Sequence, residues 1–359
     1  MIPVTKPHLP PRECVDAYID RIYTSGLLTN NGPLVQELTE RLKRYLGVSH
    51  LLLVANGTLA LQVAYAALGV RGAAITTPFT FPATSSSLAW QGVQPVYAGI
   101  NPRTLNLDPT AAARCIDSSV SALVPVHTYG NPCDVEAFQV LAEDRGLKVV
   151  YDGSHAFGVT YKERSLLEWG DATTLSFHAT KLFYTGEGGA IVFRRESDLE
   201  YARKLINFGL VDGVPSCVGI NAKMSELHAA MGLAVLDDVG SVIARRVDIL
   251  ALYRHKLEGY VEMPMRRPQT SENGAYLPIL LTNREVRDHV LGCLKRESIE
   301  GRAYFSPSLD STSLYTEQAS CLAQEASDRI LCLPIYSDLS DPDVRRIADI
   351  VVKSMREVS

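Results

Sequence analysis

No two cysteines of this sequence form a CxxC pair, and their total, seven, is odd. Neither a zinc-ribbon spacing nor a disulfide framework is offered, so no metal is expected and reduced thiols in a cytoplasmic protein are the favoured reading. Charge of neither sign dominates: 35 basic against 40 acidic residues leave a net −5, which suggests no nucleic-acid partner. No apolar run approaches bilayer-spanning length, and Met1–Pro7 carries no apolar core of signal-peptide length, so no membrane partner is expected. No GxGxxG follows the first strand-like run, which argues against a nicotinamide dehydrogenase. Internal repeats and low-complexity segments are absent as well. What is present is a 359-residue chain, 46% hydrophobic, long enough for a large core and a two-part architecture.

Apolar runs alternate with helical patterns through the first two-thirds of the chain. Pro33–Leu46 opens with proline, repeats apolar residues at Leu34, Leu38 and Leu42, and stops at Gly47, which predicts an amphipathic helix. His50–Val54 reads as a buried strand and Gly57–Leu68 as an Ala-rich helix. Ala73–Thr77, Gln94–Ala98, Ser121–Val126 and Leu147–Tyr151 continue the strands, with helices at Ala83–Gln91 and Asp134–Asp144 between them. Such alternation predicts an α/β sandwich around a mostly parallel sheet. Helices return at Glu196–Asn207, Ser225–Asp238 and Val242–Leu257, with a break or bend expected at Gly240. Strands at Tyr276–Leu281 and Gly301–Phe305 would flank a helix Glu285–Arg296, and a last helix would cover Pro342–Arg356. The chain therefore divides into a large unit, 1–240, and a smaller C-terminal α/β unit, 241–359.

One lysine, Lys181, stands in a polar turn between the apolar runs Ala172–Phe177 and Ala190–Phe193. A loop lysine is ordinarily a surface residue, but Gly186-Glu187-Gly188-Gly189 beside it implies close backbone approach. Upstream, Asp152 ends the strand Leu147–Tyr151. Strand, carboxylate, strand, lysine and Gly-rich return is the order that holds pyridoxal 5′-phosphate (PLP), with the lysine as Schiff-base partner and the carboxylate on the ring nitrogen. Alone, Asp152 would read as a strand-end aspartate capping a turn; paired with Lys181 it does not. Gly57 and Thr58, after Asn56, open a helix whose N–H groups can cup a phosphate, a role compatible with plain N-capping. Ser176, five residues before Lys181, can add a hydroxyl. Phe81 is a candidate ring cover, with an ordinary core phenylalanine as the equal alternative.

These segments resemble, in order, the DegT/DnrJ/EryC1/StrS family of nucleotide-sugar aminotransferases: Asn56-Gly57-Thr58, Pro78-Phe79-Thr80-Phe81, Asp152-Gly153-Ser154-His155, Ser176-Phe177-His178-Ala179-Thr180-Lys181 and Gly186-Glu187-Gly188-Gly189. The similarity extends to Ser25–Pro33, to Asn221-Ala222-Lys223-Met224 and to Leu333-Pro334, nearly the whole chain. It implies fold type I, the aspartate aminotransferase-like α/β class, and a homodimer in which Asn221 reaches the partner's PLP phosphate. It also implies that His155 stands beside the cofactor's ring hydroxyl, where the family usually has glutamine. Lys223 and His228 replace the family's usual arginine and glutamine. Thr29, Asn30, His178, Tyr184 and Glu187 fall in segments that would touch the sugar nucleotide.

Family members that act as sugar dehydratases carry histidine at the lysine position, and this chain keeps Lys181, so transamination is implied. The turn before Lys181 and Pro125-Val126-His127-Thr128-Tyr129-Gly130-Asn131-Pro132 resemble the viosamine-type branch acting at C4 of dTDP-4-keto-6-deoxy-D-glucose. The implied reaction moves an amino group from L-glutamate, released as 2-oxoglutarate, to that carbon. A C3-specific or UDP-linked transaminase, a PLP-dependent dehydratase or racemase, and a non-catalytic PLP-binding regulator are the alternatives. The last is disfavoured by the full catalytic set and the lack of a DNA-binding segment.

Overall fold

Seven strands make the central sheet, and six of them run the same way. In the computed structural model, which describes residues 1–312, 314–315 and 321–357, they are β1 (Leu51–Val54), β2 (Ala73–Thr76), β3 (Gln94–Tyr97), β4 (Val120–Val124), β5 (Lys148–Asp152), β8 (Ala172–Ser176) and β9 (Gly189–Phe193). Their order across the sheet is β1-β9-β8-β5-β4-β2-β3, with only β9 antiparallel to its neighbours. Side chains alternate between two cores. Leu51, Leu53, Ile75, Leu123 and Val149 face one layer, while Leu52, Val54, Ala74, Ala122 and Val150 face the other. Two short ribbons, β6 (Thr160–Tyr161) with β7 (Arg164–Ser165) and β10 (Leu210–Val211) with β11 (Val214–Pro215), project from connecting loops.

The helices of this unit are α1 (Arg12–Ser25), α2 (Pro33–Leu46), α3 (Gly57–Leu68), α4 (Pro82–Trp90), α5 (Pro109–Arg114), α6 (Val135–Arg145) and α7 (Glu196–Leu205). α2 forms where its punctuation predicts, with Pro33 at its first turn and Gly47 left-handed at φ 66°. Its N-terminus is closed by a long-range cap: buried Glu226 accepts from the N–H groups of Leu34 (2.8 Å) and Val35 (3.0 Å). Helix α1 was not legible in the pattern, because of its residues only Ile22 is buried.

We propose the C-terminal part as a second unit, because its buried residues form a cluster of their own. Helix α8 (Glu226–Leu257) runs from the large unit into it, and β12 (Leu277–Leu280) pairs antiparallel with β13 (Ile330–Leu333). Around this ribbon pack α9 (Arg284–Arg296), α10 (Cys321–Arg329) and α11 (Asp341–Arg356), with Ile249, Tyr253, Val290, Leu331, Ile347 and Val351 fully buried. The first residues join this unit: Ile2 donates to the Ser298 carbonyl at 2.8 Å and accepts from Glu300 at 2.9 Å.

Two expectations need correction. Gly240 does not break the helix; α8 is continuous over 32 residues. One exposed glycine costs about 1 kcal/mol against alanine, and the packing of α8 against α1, α2 and α11 outweighs that. Gly301–Phe305 is not a strand. It makes one bridge, Arg302 to Cys332, and then turns through bonds from Tyr304 N–H to the Arg302 carbonyl and from Ser306 N–H to the Ala303 carbonyl. The turn carries Phe305 against Phe79, ring centroids 5.7 Å apart, and against Tyr129. By length and composition α8 could cross a membrane, but Glu226 and Arg246 on it are buried in hydrogen bonds and half its apolar window is covered by the fold.

Candidate active site

Every chemical group picked out above, except those in the Ser25–Pro33 and Asn221 segments, follows the carboxyl end of a parallel strand, the edge where open α/β sheets collect ligands. Asp152 closes β5, Ser176 closes β8, and Asn56-Gly57 follow β1. β5 and β8 are neighbours, pairing Asp152 with Thr174, and this adjacency brings the carboxylate and the Lys181 turn together.

The Lys181 turn is rigidly framed. Phe177 and Ala179 donate to the carbonyls of Gly188 (2.8 Å) and Gly186 (2.9 Å), and Thr185 donates back to Phe177 at 2.9 Å. Beneath the turn Phe183 stacks on Phe157 at 4.6 Å and meets Phe177 edge-on at 4.8 Å. Lys181 lines a pocket with Ser154, His155, Ser176, Thr180 and Tyr276. Burial lowers the pKa of its amine, against the opposing pull of Asp152 and Tyr304. A lysine so placed reaches the neutral, nucleophilic form more easily than one in water.

Asp152 is 5% exposed and is held by three donors: the Thr84 hydroxyl on Oδ2 (2.8 Å), and the Ser154 N–H (3.1 Å) and hydroxyl (2.6 Å) on Oδ1. Thr80 stands behind Thr84, their hydroxyls 3.0 Å apart. Among the described residues no cation lies within ion-pair distance of this buried carboxylate. A protonated ring nitrogen is a group that would complete it. Thr84 and Ser154 were not singled out in the sequence, although both lie inside the quoted segments.

His155 is buried, and its Nδ1 accepts the Tyr129 N–H at 3.1 Å. That bond leaves the proton of the neutral ring on Nε2, as a donor. Burial, with Lys181 nearby, pushes the imidazole pKa well down, so the ring stays neutral. It lies parallel to Tyr129 and Phe305 and 4.5 Å from Tyr276. Asn273 donates to the carbonyls of His155 (2.9 Å) and Phe157 (3.0 Å), tying the second unit to the site. Tyr276 and Tyr304 enter from that unit, and no local pattern marks them.

The start of α3 is tightly packed. Asn56 caps α3 through Leu59 N–H at 2.8 Å, and a Cβ on Gly57 would stand 2.8 Å from the Ser176 Cβ. A Cβ on Gly189 would meet the Asn56 carbonyl at 2.7 Å. Only glycine lets this helix start sit against the β8 and β9 ends, with Ser176 beside its N–H groups. Thr58 is exposed at the same helix start. PLP fits these residues: a phosphate at Gly57, Thr58 and Ser176, an aldehyde at Lys181, a ring nitrogen at Asp152 and a ring hydroxyl at His155.

Phe79 is the core phenylalanine, fully buried, whereas Phe81 is 60% exposed just before Pro82. The core alternative for Phe81 is thereby removed. His178 and Glu187 are exposed at the turn, their nearest polar atoms 3.8 Å apart, and His178 Nδ1 is 2.8 Å from the Thr180 hydroxyl. Tyr184 has a different place from the one expected. Its ring is in the core and its hydroxyl donates to the His8 carbonyl, so it fastens the N-terminal segment.

Thr29 and Asn30 are exposed and do not line the Lys181 pocket. Asn30 lines another cleft, of about 480 Å³, with Asn31, Arg203, Asn207 and Lys223. Asn221 is exposed, bridged to Asn207, and Lys223 Nζ donates to the Asn207 side-chain Oδ1 at 2.6 Å. His127, from the branch-type segment, is a buried structural ring: its Nδ1 accepts from Cys133, it stacks on Tyr151 at 4.5 Å, and burial pushes its pKa down to about 3.

Comparison with known proteins agrees with this geometry. Residues 12–352 match the model of the DegT/DnrJ/EryC1/StrS aminotransferase family. A dTDP-4-amino-4,6-dideoxy-D-glucose transaminase of Shigella dysenteriae is 40% identical, over 99% of this chain and 98% of its own length. One from Escherichia coli is 37% identical over 99% of both chains. Among solved structures, DesI determined in the presence of its TDP-sugar product superimposes with a TM-score of 0.94 at 35% identity, covering 99% of this chain and 93% of that one.

Proposed function

From membership of the chain in the DegT/DnrJ/EryC1/StrS aminotransferase family, whose transaminases depend on PLP, we propose that it moves an amino group from L-glutamate to C4 of dTDP-4-keto-6-deoxy-D-glucose, giving dTDP-4-amino-4,6-dideoxy-D-glucose. The observation that carries this reading is full-length similarity to two transaminases of that product, joined to an intact Lys181–Asp152 pair. Bound PLP supplies an aldehyde and an electron-withdrawing ring. Lys181 Nζ would hold the cofactor's aldehyde and, once free, would move the proton at glutamate Cα. Asp152 would pair with the protonated ring nitrogen. His155 Nε2–H would donate to the ring hydroxyl, Gly57, Thr58 and Ser176 would hold the phosphate, and Phe81 would cover the ring face. The second half-reaction runs these roles backwards on the keto sugar, with His178, Glu187, Thr29 and Asn30 available to its polar groups. Purified enzyme given glutamate and a panel of dTDP- and UDP-linked 3-keto and 4-keto sugars should release 2-oxoglutarate and aminate dTDP-4-keto-6-deoxy-D-glucose fastest. Preference for a 3-keto or UDP sugar would replace the substrate assignment; PLP binding with no amino transfer would favour the regulator.

The working unit in this reading is a homodimer with Asn221 on the partner's phosphate. Supporting it, the hairpin around β10 and β11 exposes Phe208, Val214, Val218 and Ile220, with Leu28 and Leu227 also exposed, an apolar surface of the kind that pairs. Asn221→Glu and Lys181→Ala, each inactive alone, should recover part of the activity when co-refolded, because one site of the mixed dimer is intact. Complete subunit exchange without recovery would place Asn221 on its own chain's cofactor.

A further inference from the structure

A second chemical cluster lies on the small unit, sharing no residue with the Lys181 pocket. Helix α9 carries His289 and Cys293 four residues apart, hence on one face, and Glu357 follows α11, which packs against α9. His289 Nε2 lies 3.5 Å from Cys293 Sγ and 3.3 Å from Glu357 Oε2. The three ligand atoms all fall within 4.8 Å of one another.

These spacings have a metrical meaning. Zinc binds sulfur at about 2.3 Å, imidazole nitrogen at about 2.0–2.1 Å and carboxylate oxygen at about 2.0–2.2 Å, so a tetrahedral centre has a nitrogen–sulfur edge of about 3.5 Å and a nitrogen–oxygen edge of about 3.3 Å. The two separations from His289 match those edges. We propose that His289, Cys293 and Glu357 bind one Zn²⁺ ion, which clips the end of α11 onto α9.

The donor set selects the metal. A thiolate and an imidazole are poor ligands for magnesium or calcium, and one sulfur beside a carboxylate is a poor set for copper(I). Cys293 is 8% exposed while His289 and Glu357 reach solvent, so the sulfur forms the floor and the fourth position opens to water. Arg296 donates to Cys293 Sγ at 3.0 Å, an outer contact that fixes the position of the sulfur.

The test uses Co²⁺ and Zn²⁺ themselves on the PLP-loaded enzyme, after chelation and desalting. One Co²⁺ per chain should give the intense visible bands of four-coordinate cobalt with a thiolate ligand, and Zn²⁺ should displace it. Since loss of an outer partner alone weakens metal binding about 10- to 100-fold, Cys293→Ala and Glu357→Gln should each weaken it by about 100-fold or more, with transaminase activity unchanged. Zn²⁺ should also raise the melting temperature of the wild type and not of Glu357→Gln, whose exposed site keeps the fold secure should Cys293→Ala fail to fold. No cobalt uptake by the wild type, or uptake unchanged in Glu357→Gln, would overturn the site and leave a His289–Glu357 ion pair over a buried thiol.

Discussion

Lys181→Ala should fold and bind cofactor yet lose steady-state transamination by about 10⁴-fold or more, because in the proposed reaction one amine serves as both the covalent anchor and the proton carrier. The frame of the turn should survive, since its bonds run through the backbone of Phe177, Ala179, Gly186 and Gly188 and its packing through Phe177 and Phe183. Release of 2-oxoglutarate measures the loss. Borohydride followed by peptide mapping should place the reduced cofactor on Lys181 in the wild type and on no residue of the variant. A small amine added in solution should restore part of the proton transfer, because it can occupy the space the side chain leaves. Cofactor mapped to another lysine would remove Lys181 from the mechanism, and near-normal turnover of the variant would do the same.

Legibility of this molecule followed the range of its interactions. Helix α2 could be read because proline, glycine and a leucine stripe all lie within it, and the strands because their apolar runs are short and bounded. Lys181 and Asp152 could be paired because each sits in a local strand-and-turn signature, while the sheet order that makes β5 and β8 neighbours was supplied by the fold. Contacts across long sequence distances were not readable. Tyr184 finds His8 at a separation of 176 residues, and Glu226 caps a helix start 192 residues away. Tyr276 and Tyr304 reach the site only because the second unit docks there. Gly240 misled because propensity is weak beside tertiary packing. The metal-ligand cluster was invisible since its third member lies on another helix's end, although His289 and Cys293 stand four apart.

Asp152→Asn should separate catalysis from folding. The amide is the same size as the carboxylate, its oxygen can accept both Ser154 donors, and the Thr84 hydroxyl can turn to accept from the new NH₂ group. The unfolding midpoint should therefore move little. In the proposed reaction, however, the charge is what holds a proton on the ring nitrogen, and a hydrogen bond to a charged group contributes about 1.5–3 kcal/mol. Because that interaction grows as electrons move from the substrate carbon into the ring, its loss falls on the transition state, and turnover should drop by about 100-fold or more. Thr84→Val offers a graded control: it removes one of three donors and leaves the charge, so kcat should fall less than in Asp152→Asn while KM for glutamate stays near the wild-type value. The measurement is kcat and KM for glutamate, with thermal melts, across wild type and the two variants. Near-normal kcat in Asp152→Asn would mean that another group holds the ring nitrogen. A collapse of the melt to match the loss of activity would mean that the buried carboxylate serves the fold before it serves the reaction.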